Sequence, residues 1–389
     1  LGLLGHHQRM RSNTSVLAIT GSNGKTSTRR MAQTIFQTTF ETLATQKNFN
    51  NEIGVPKTLL NLSDVHEWAV VEMGMNQPGE MARLSRIAAP NICIVTNTTG
   101  AHLEGLKTAE NVAREKACIF DHTVRGGVAV IFKDDPRAHI LTHRAKNTPG
   151  IDRILTFGNN DSADIYATDI RSEGGMTRFL GHILGETARF HLHSPARFMV
   201  LNALASLAAA AAAGIRIPDM QAGLAAFTPV SGRMQIQSLP GGIHLINDTY
   251  NANPASVILA LKTLAELAAA PKNCGTGRTL AILGDMLELG TDSEQHHRQV
   301  GNTAATLGIS RLYLFGPLSR HTLTGALDGG MTRDALFHGT KQEITNQVSA
   351  EARPGDWVLV KGSRGMAMET IIEQCKTQMT DFLQKTGGD

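Results

Sequence analysis

A chain of 389 residues with 38 glycines is long enough for two or three domains with real cores, and its glycine content suits an α/β protein with many tight turns. Its formal net charge of +3 is too small to imply nucleic acid or a membrane surface as a partner. The four cysteines (Cys93, Cys118, Cys274 and Cys375) are scattered and form no Cys-x-x-Cys pair, which argues against a disulfide framework or zinc site and for a reducing cytoplasm.

The chain opens at Leu1 in what reads as the tail of a helix, so further sequence is expected upstream. Ser15–Thr20 then reads as a strand, Lys25–Phe40 as a helix, Trp68–Met73 as a strand and Gly79–Ala88 as a helix. Asn91–Asn97, Ala109–Asp121 and Gly127–Phe132 continue as strand, helix and strand. The apolar runs show no alternation, as expected of parallel strands buried on both faces. They predict a doubly wound, mostly parallel α/β sheet with right-handed crossovers.

From about Asp152 to His193 the character changes. Short strands (Arg153–Phe157, Ile165–Ile170, Thr177–Leu184 and Thr187–His191) follow turn signals such as Glu173-Gly174-Gly175, which predicts a small antiparallel annex. Helices resume at Phe198–Gly214 and Pro218–Phe227. The Ala-rich run from Leu201 to Ile215 is too short to cross a bilayer and carries Asn202, so it reads as a buried helix and no membrane insertion is expected.

A second, Rossmann-like α/β pattern follows Val230-Ser231-Gly232-Arg233. Its strands are expected at Met234–Ser238, Ile243–Asn247, Thr279–Leu283, Arg311–Phe315 and Trp357–Lys361. Its helices are expected at Pro254–Ala268, Ser293–Leu307, Lys341–Ala352 and Met366–Thr386. The expected division is residues 1–232, a central nucleotide-binding domain, and 233–389, a C-terminal α/β domain.

Ile19-Thr20-Gly21-Ser22-Asn23-Gly24-Lys25-Thr26 joins the first strand to the first long helix. Glycines there let the backbone approach phosphate, and the helix N-terminus offers N–H groups and partial positive charge. Lys25 can reach β- and γ-phosphates, and the Thr26 hydroxyl can ligate Mg²⁺. A standard P-loop has four residues between its glycines; this one has two, Ser22 and Asn23.

That shortened loop resembles the loop of the Mur ligases, ATP-dependent amide-forming enzymes of cell-wall synthesis. Further segments carry the likeness. Asn48-Phe49-Asn50-Asn51-Glu52-Ile53-Gly54-Val55-Pro56 resembles the family's substrate-side segment, and Val71-Glu72-Met73-Gly74 its Mg²⁺ glutamate. Thr96-Asn97-Thr98-Thr99-Gly100-Ala101-His102 resembles the segment with the metal-binding histidine, and Arg114-Glu115-Lys116-Ala117 the helix whose lysine is often carbamylated. Three later stretches, Asn247–Pro254, Leu283–Gly290 and Val360–Met366, resemble those of the family's D-alanyl-D-alanine-adding branch.

The resemblance implies that ATP phosphorylates the terminal carboxylate of a UDP-N-acetylmuramoyl-tripeptide and that the amine of D-alanyl-D-alanine attacks the acyl phosphate. Bringing carboxylate and γ-phosphate together calls for cations and Mg²⁺. It implies Gly21, Ser22, Asn23, Gly24, Lys25, Thr26 and Ser27 around the ATP phosphates. Thr26, Glu72, His102 and, if carbamylated, Lys116 are implied near metal. Lys25, His102, Lys116 and Arg233 are implied in catalysis, and Asn202, Arg233, Asp248, Tyr250 and Asn251 at ATP. Asn50, Asn51, Asn253, Asp285, Glu288, Lys361, Ser363 and Arg364 are implied at the peptide substrates. A cytoplasmic monomer follows from the same resemblance.

Plainer readings stand beside these. Glu72 reads equally as a surface glutamate at a strand end, and His102 as a loop histidine, since Mg²⁺ prefers oxygen. Lys116 reads as a solvated helix lysine unless it is desolvated and neutral enough to react with CO₂. Asp248–Asn253 is otherwise a turn before Pro254, a common helix-starting residue. His296 and His297 are adjacent on a helix and diverge by ~100°, so they read as structural rather than as a metal pair. Relatives usually carry Gly-x-His-Asn before the asparagine matched by Asn202; this chain has Ala196-Arg197-Phe198-Met199, so altered adenine contacts are expected. No counterpart of the family's N-terminal UDP-binding domain is found, and the chain alone is expected to be a poor enzyme for want of that remote binding energy. Competing functions are another ligase of the same fold, adding one amino acid or glutamate, and a non-catalytic ATP-binding module. A GTPase or kinase switch lacks support, there being no Asn-Lys-x-Asp motif.

Overall fold

The computed structural model describes residues 1–99, 103–173, 175–239, 242–269 and 277–386. The chain divides into two compact units, Leu1–Thr228 and Pro229–Asp389. Among the described residues no helix is long and apolar enough to cross a membrane.

The first unit is built on nine strands: β1 (Ser15–Thr20), β2 (Thr42–Ala44), β3 (Trp68–Glu72), β4 (Ile92–Val95), β5 (Gly127–Phe132), β6 (Ile151–Gly158), β7 (Ile165–Glu173), β8 (Met176–Ile183) and β9 (Glu186–Leu192). They lie in the order β2-β3-β1-β4-β5-β6-β7-β8-β9. Pairing is parallel from β2 to β7 and antiparallel across β7, β8 and β9. β1 and β4 are buried along almost their whole length, because helices cover both faces. β8 alternates between buried and more exposed positions, as a strand with one solvated face does.

On one face Val16, Ala18, Val71, Val95 and Ile131 pack with Leu59, Met81, Leu84 and Phe120. On the other, the helix Lys25–Phe36 buries Met31, Ile35 and Phe36, and packs on the helices Met199–Ala212 and Ile217–Ala225. Phe36 meets Trp68 edge-on with ring centroids 5.0 Å apart. Emptying that position to alanine would cost about 3–5 kcal/mol. A Cβ on Gly223 would come within 2.4 Å of Ile35 Cα, so only glycine allows this helix approach. The first helix, Gly2–Arg11, is anchored by Arg9, whose guanidinium donates to Ala88 O and Ala89 O, both at 3.0 Å, and caps the helix Glu80–Ala88.

The second unit carries β10 (Gln235–Leu239), β11 (Ile243–Asp248), β12 (Thr279–Gly284), β13 (Arg311–Phe315), β14 (Leu336–His338) and β15 (Trp357–Lys361), in the order β10-β11-β15-β12-β13-β14. All pairings are parallel except β10 with β11. Leu245, Leu280, Ile282, Tyr313, Val358 and Val360 form the core with Ile344, Val348, Ile371 and Ile372 from two helices.

Several expectations need correction. β6 is not part of an antiparallel annex: it runs parallel to β5, and the annex strands extend the same sheet. The first long helix stops at Phe36, not Phe40, where the Thr38 hydroxyl donates to Ile35 O and competes with the helical ladder. The helix expected to reach Asp121 ends at Ala117 and tightens into a 3₁₀ turn over Cys118–Phe120. The last helix starts at Glu369 rather than Met366. Unanticipated elements are β2, β14 and the helices Gly54–Leu59, Ala138–Lys146 and Ser319–Asp328.

Candidate active site

Strand order reverses around β1, with β3 on one side and β4 on the other, which is where open α/β sheets bind ligands at their carboxyl ends. The loop Gly21–Gly24 leaves β1 at that point. Gly21 has φ +151° and Gly24 φ +84°. A Cβ on Gly21 would fall 1.8 Å from Thr96 Oγ1, and one on Gly24 2.3 Å from Asn202 Oδ1. Both glycines are therefore required by close approach as well as by backbone conformation. Lys25, Thr26 and Ser27 form the first turn of the helix that follows, whose N–H groups have no partner within the helix. That turn is a cradle for phosphate.

Around the cradle the predicted side chains converge. Lys25 Nζ curls over the loop and donates to Gly21 O at 2.6 Å. Thr26 Oγ1 lies 3.3 Å from Glu72 Oε1, which also accepts from Asn50 Nδ2 at 2.9 Å. Glu72 is the last residue of β3 and is buried; its Oε2 accepts no hydrogen bond among the described residues and lies 3.7 Å from Arg29 Nε. A hydroxyl and a buried carboxylate with an unused oxygen are hard donors that fit Mg²⁺. Lys116 is fully enclosed, and burial, with Lys25 adding repulsion, pushes its ammonium well below the usual lysine range. The buried amine is therefore biased toward its neutral form. Among the described residues no group of three His, Cys, Asp or Glu could hold a metal; His102 lies outside the described residues.

A polar brace that the sequence reading missed fixes the loop. Asn23 N donates to Asn97 Oδ1, Asn97 Nδ2 and Thr96 Oγ1 both donate to Asn23 O, and Ser22 N donates to Asn97 O. One step further out, Asp135 accepts from Thr98 N and Thr98 Oγ1, both at 2.6 Å, and from Arg137 N at 2.9 Å. The only sequence signal was position: both segments follow strand ends at the same sheet edge. Asn202, from the helix Met199–Ala212, sets Oδ1 against Gly24 and turns Nδ2 to Met199 Sδ at 3.3 Å. The departure at Met199 thus supplies a partner for Asn202. Asn51 Oδ1 accepts from Ile53 N and Gly54 N and so caps the helix Gly54–Leu59.

In the second unit the expected residues gather at the carboxyl ends of β11, β12 and β15. Asp248 and Lys361 are register partners, joined by an ion pair of 2.6 Å; Lys361 Nζ also donates to Asn251 O at 2.8 Å. Ser363 Oγ donates to Ala252 O and accepts from Leu287 N, and Arg364 N donates to Asn251 Oδ1. Asn253 makes a capping box with Ser256. The Arg233 guanidinium stacks over Tyr250 at 4.0 Å. Burial raises the Asp285 carboxyl above its usual range; its Oδ2 accepts from Leu318 N. Glu288 is exposed on the loop beyond, with φ +62°, and the Arg364 side chain pairs with Glu369 at the surface. His297 is structural: Nε2 accepts from Met286 N, Nδ1 donates to Ser293 O, and burial lowers its pKa.

A phosphate cradle at the switch point of a parallel sheet places the protein in the P-loop class of nucleotide-using α/β enzymes. Within that class the chain belongs to the Mur ligase family: residues 19–210 match the Mur ligase middle domain and residues 232–364 the Mur ligase glutamate ligase domain. It is 33% identical over 361 residues to the UDP-N-acetylmuramoyl-tripeptide–D-alanyl-D-alanine ligase of Bacillus subtilis, an alignment covering 92% of this chain and 75% of that one. Among solved structures it resembles the MurF ligase of Thermotoga maritima in complex with ADP, with TM-score 0.82 and 25% identity over 98% of this chain and 84% of that one. It also resembles a UDP-N-acetylmuramoylalanyl-D-glutamyl-2,6-diaminopimelate–D-alanyl-D-alanyl ligase from Acinetobacter baumannii, with TM-score 0.81 and 29% identity over 97% and 79%.

Proposed function

We propose that the protein uses ATP to join D-alanyl-D-alanine to a UDP-N-acetylmuramoyl-tripeptide in peptidoglycan precursor synthesis, acting in the cytoplasm as a monomer. We take the donor to be of the type named for the Acinetobacter relative, with D-glutamyl and 2,6-diaminopimelate residues. The observation that carries the reading is the meeting of Lys25, Thr26 and Glu72 at one helix N-terminus, in a chain one-third identical over most of its length to ligases of this acceptor.

In this reading the first-turn N–H groups and Lys25 hold the β- and γ-phosphates and draw charge from the γ-phosphoryl group as the donor carboxylate attacks. Thr26 and Glu72 would hold Mg²⁺, which screens the two anions from each other. Lys116 is proposed to support a metal as its carbamate, its neutral amine being the form that reacts with CO₂. His102 is retained as a proposed metal-side residue. Asp285, Glu288 and Arg364 are proposed to meet the acceptor dipeptide, with Lys361, Ser363 and Asn253 holding the loops that present them.

The test is ADP release from ATP, Mg²⁺ and the tripeptide nucleotide, with and without D-alanyl-D-alanine. Release that depends on the dipeptide, with a product of pentapeptide-nucleotide mass, is expected. ATP binding without dipeptide dependence would overturn the acceptor and leave only a nucleotide-binding module.

A further inference from the structure

A cleft of about 390 Å³ runs beside β2, the edge strand of the first sheet. Arg29, Arg30 and Gln33 wall it from the helix Lys25–Phe36; Gln46, Lys47 and His66 wall it from the strand side. Its charge arrangement is unusual. Arg29 Nη1 and Arg30 Nη1 both donate to the one neutral oxygen Gln33 Oε1, at 3.3 and 3.1 Å. Two guanidinium groups are thus held side by side on an acceptor that cancels neither charge. Among the described residues no carboxylate lies within ion-pair distance of Arg30, Lys47 or His66. Arg29 is only 7% exposed and has Glu72 Oε2 3.7 Å from its Nε, so the charge without a carboxylate at the cleft is that of Arg30 and Lys47.

The arrangement selects an anion, and paired guanidinium groups favour a planar, bidentate one such as a carboxylate. The cleft also adjoins the chemistry. Arg29 spans the two, its Nη1 on the cleft side and its Nε 3.7 Å from Glu72 Oε2. A donor peptide containing D-glutamyl and 2,6-diaminopimelate residues has carboxylates to spare. The glutamyl residue keeps one beyond its amide bond, and diaminopimelate has two, of which one is joined. A spare carboxylate lies within a residue or two of the reacting one, roughly 3–7 Å along the chain.

We propose that this cleft is a carboxylate subsite, in which Arg30, Lys47 and the outer edge of Arg29 bind a non-reacting carboxylate of the donor peptide. The inference rests on the ligase reading above. It makes Arg30 and Lys47 determinants of donor specificity rather than catalytic residues.

The test compares wild type, Arg30→Gln and Lys47→Gln on three donors: the diaminopimelate tripeptide nucleotide, its lysine analogue, and the analogue with the glutamyl carboxylate amidated. On the diaminopimelate donor each variant is expected to raise the donor KM about tenfold. KM for ATP, kcat and the thermal midpoint are expected to stay at wild-type values, with Arg30→Lys restoring part of the loss. On one of the two analogues the variants are expected to match wild type, which identifies the carboxylate bound. Unchanged donor KM in both variants, or a loss that persists on both analogues, would overturn the subsite. Wild-type protein without dipeptide-dependent ADP release would overturn the ligase reading itself and the subsite with it.

Discussion

The carboxyl ends of the two sheets are furnished alike and finished differently. In the first unit the polar groups at the sheet edge keep capacity in hand: Glu72 has an oxygen with no hydrogen bond among the described residues, and the first turn after Gly24 has N–H groups with no helical partner. In the second unit most of the comparable side chains are spent on one another, although Asp285 keeps a buried Oδ1 with no hydrogen bond among the described residues. Lys361 is neutralised by Asp248, Ser363 bridges two backbone groups, and Asn253 caps a helix. We infer that residues of one chemical type at one topological position divide into those that touch a ligand and those that hold the loop doing so.

The largest effect expected from this contrast is on rate. Lys25→Ala and Glu72→Gln should each lower dipeptide-dependent ADP release by about 10²–10³-fold, since both act on developing charge; Lys25→Ala should leave the thermal midpoint near wild type, whereas Glu72→Gln removes the carboxylate beside the buried Arg29 and should lower it. The next is on stability. Lys361→Met leaves the Asp248 carboxylate without its cation and should cost about 3–5 kcal/mol in the second unit, read by chemical denaturation. Asp135→Asn should fall between the two types. Asp135 holds Thr98, next to the phosphate-loop brace, and the Arg137 backbone, so KM for ATP should rise about tenfold with a smaller change in kcat.

A pH dependence comes lower in the order. Burial holds the His297 pKa below its unfolded value, so the unfolded state takes up the proton first and stability falls as pH drops through the ordinary histidine range. Wild type should lose stability there relative to His297→Asn, whose profile should be flatter; denaturation midpoints between pH 5 and 8 would show it. Arg364→Ala should be the mildest change to the fold. Its pair with Glu369 is at the surface and contributes ~0.5 kcal/mol or less, so any loss of activity would report a substrate contact rather than a weakened framework.

Much of the fold was legible in the sequence because strands such as Ser15–Thr20 and Trp357–Lys361 are buried on both faces and read as unbroken apolar runs. β2 was not, being three residues long at an edge. The helix Ala138–Lys146 was hidden by His139, Thr142 and His143, which break its apolar periodicity. At the site, the glycine loop announced Lys25 and Thr26. Asp135 and Arg29 left no such mark, because they work through buried contacts that no spacing rule encodes. Asn51 and Asn253, expected at the substrates from the resemblance, each cap a helix, a role the asparagine side chain favours.

The central claim is that the first sheet edge performs the chemistry and the second unit's polar knot builds its framework. It is tested most directly by measuring Lys25→Ala and Lys361→Met side by side, each for thermal midpoint and for dipeptide-dependent ADP release. The account predicts that Lys25→Ala keeps its midpoint and loses its rate, and that Lys361→Met loses its midpoint. A Lys361→Met protein as stable as wild type but inactive would contradict it, and would make that buried lysine part of the chemistry.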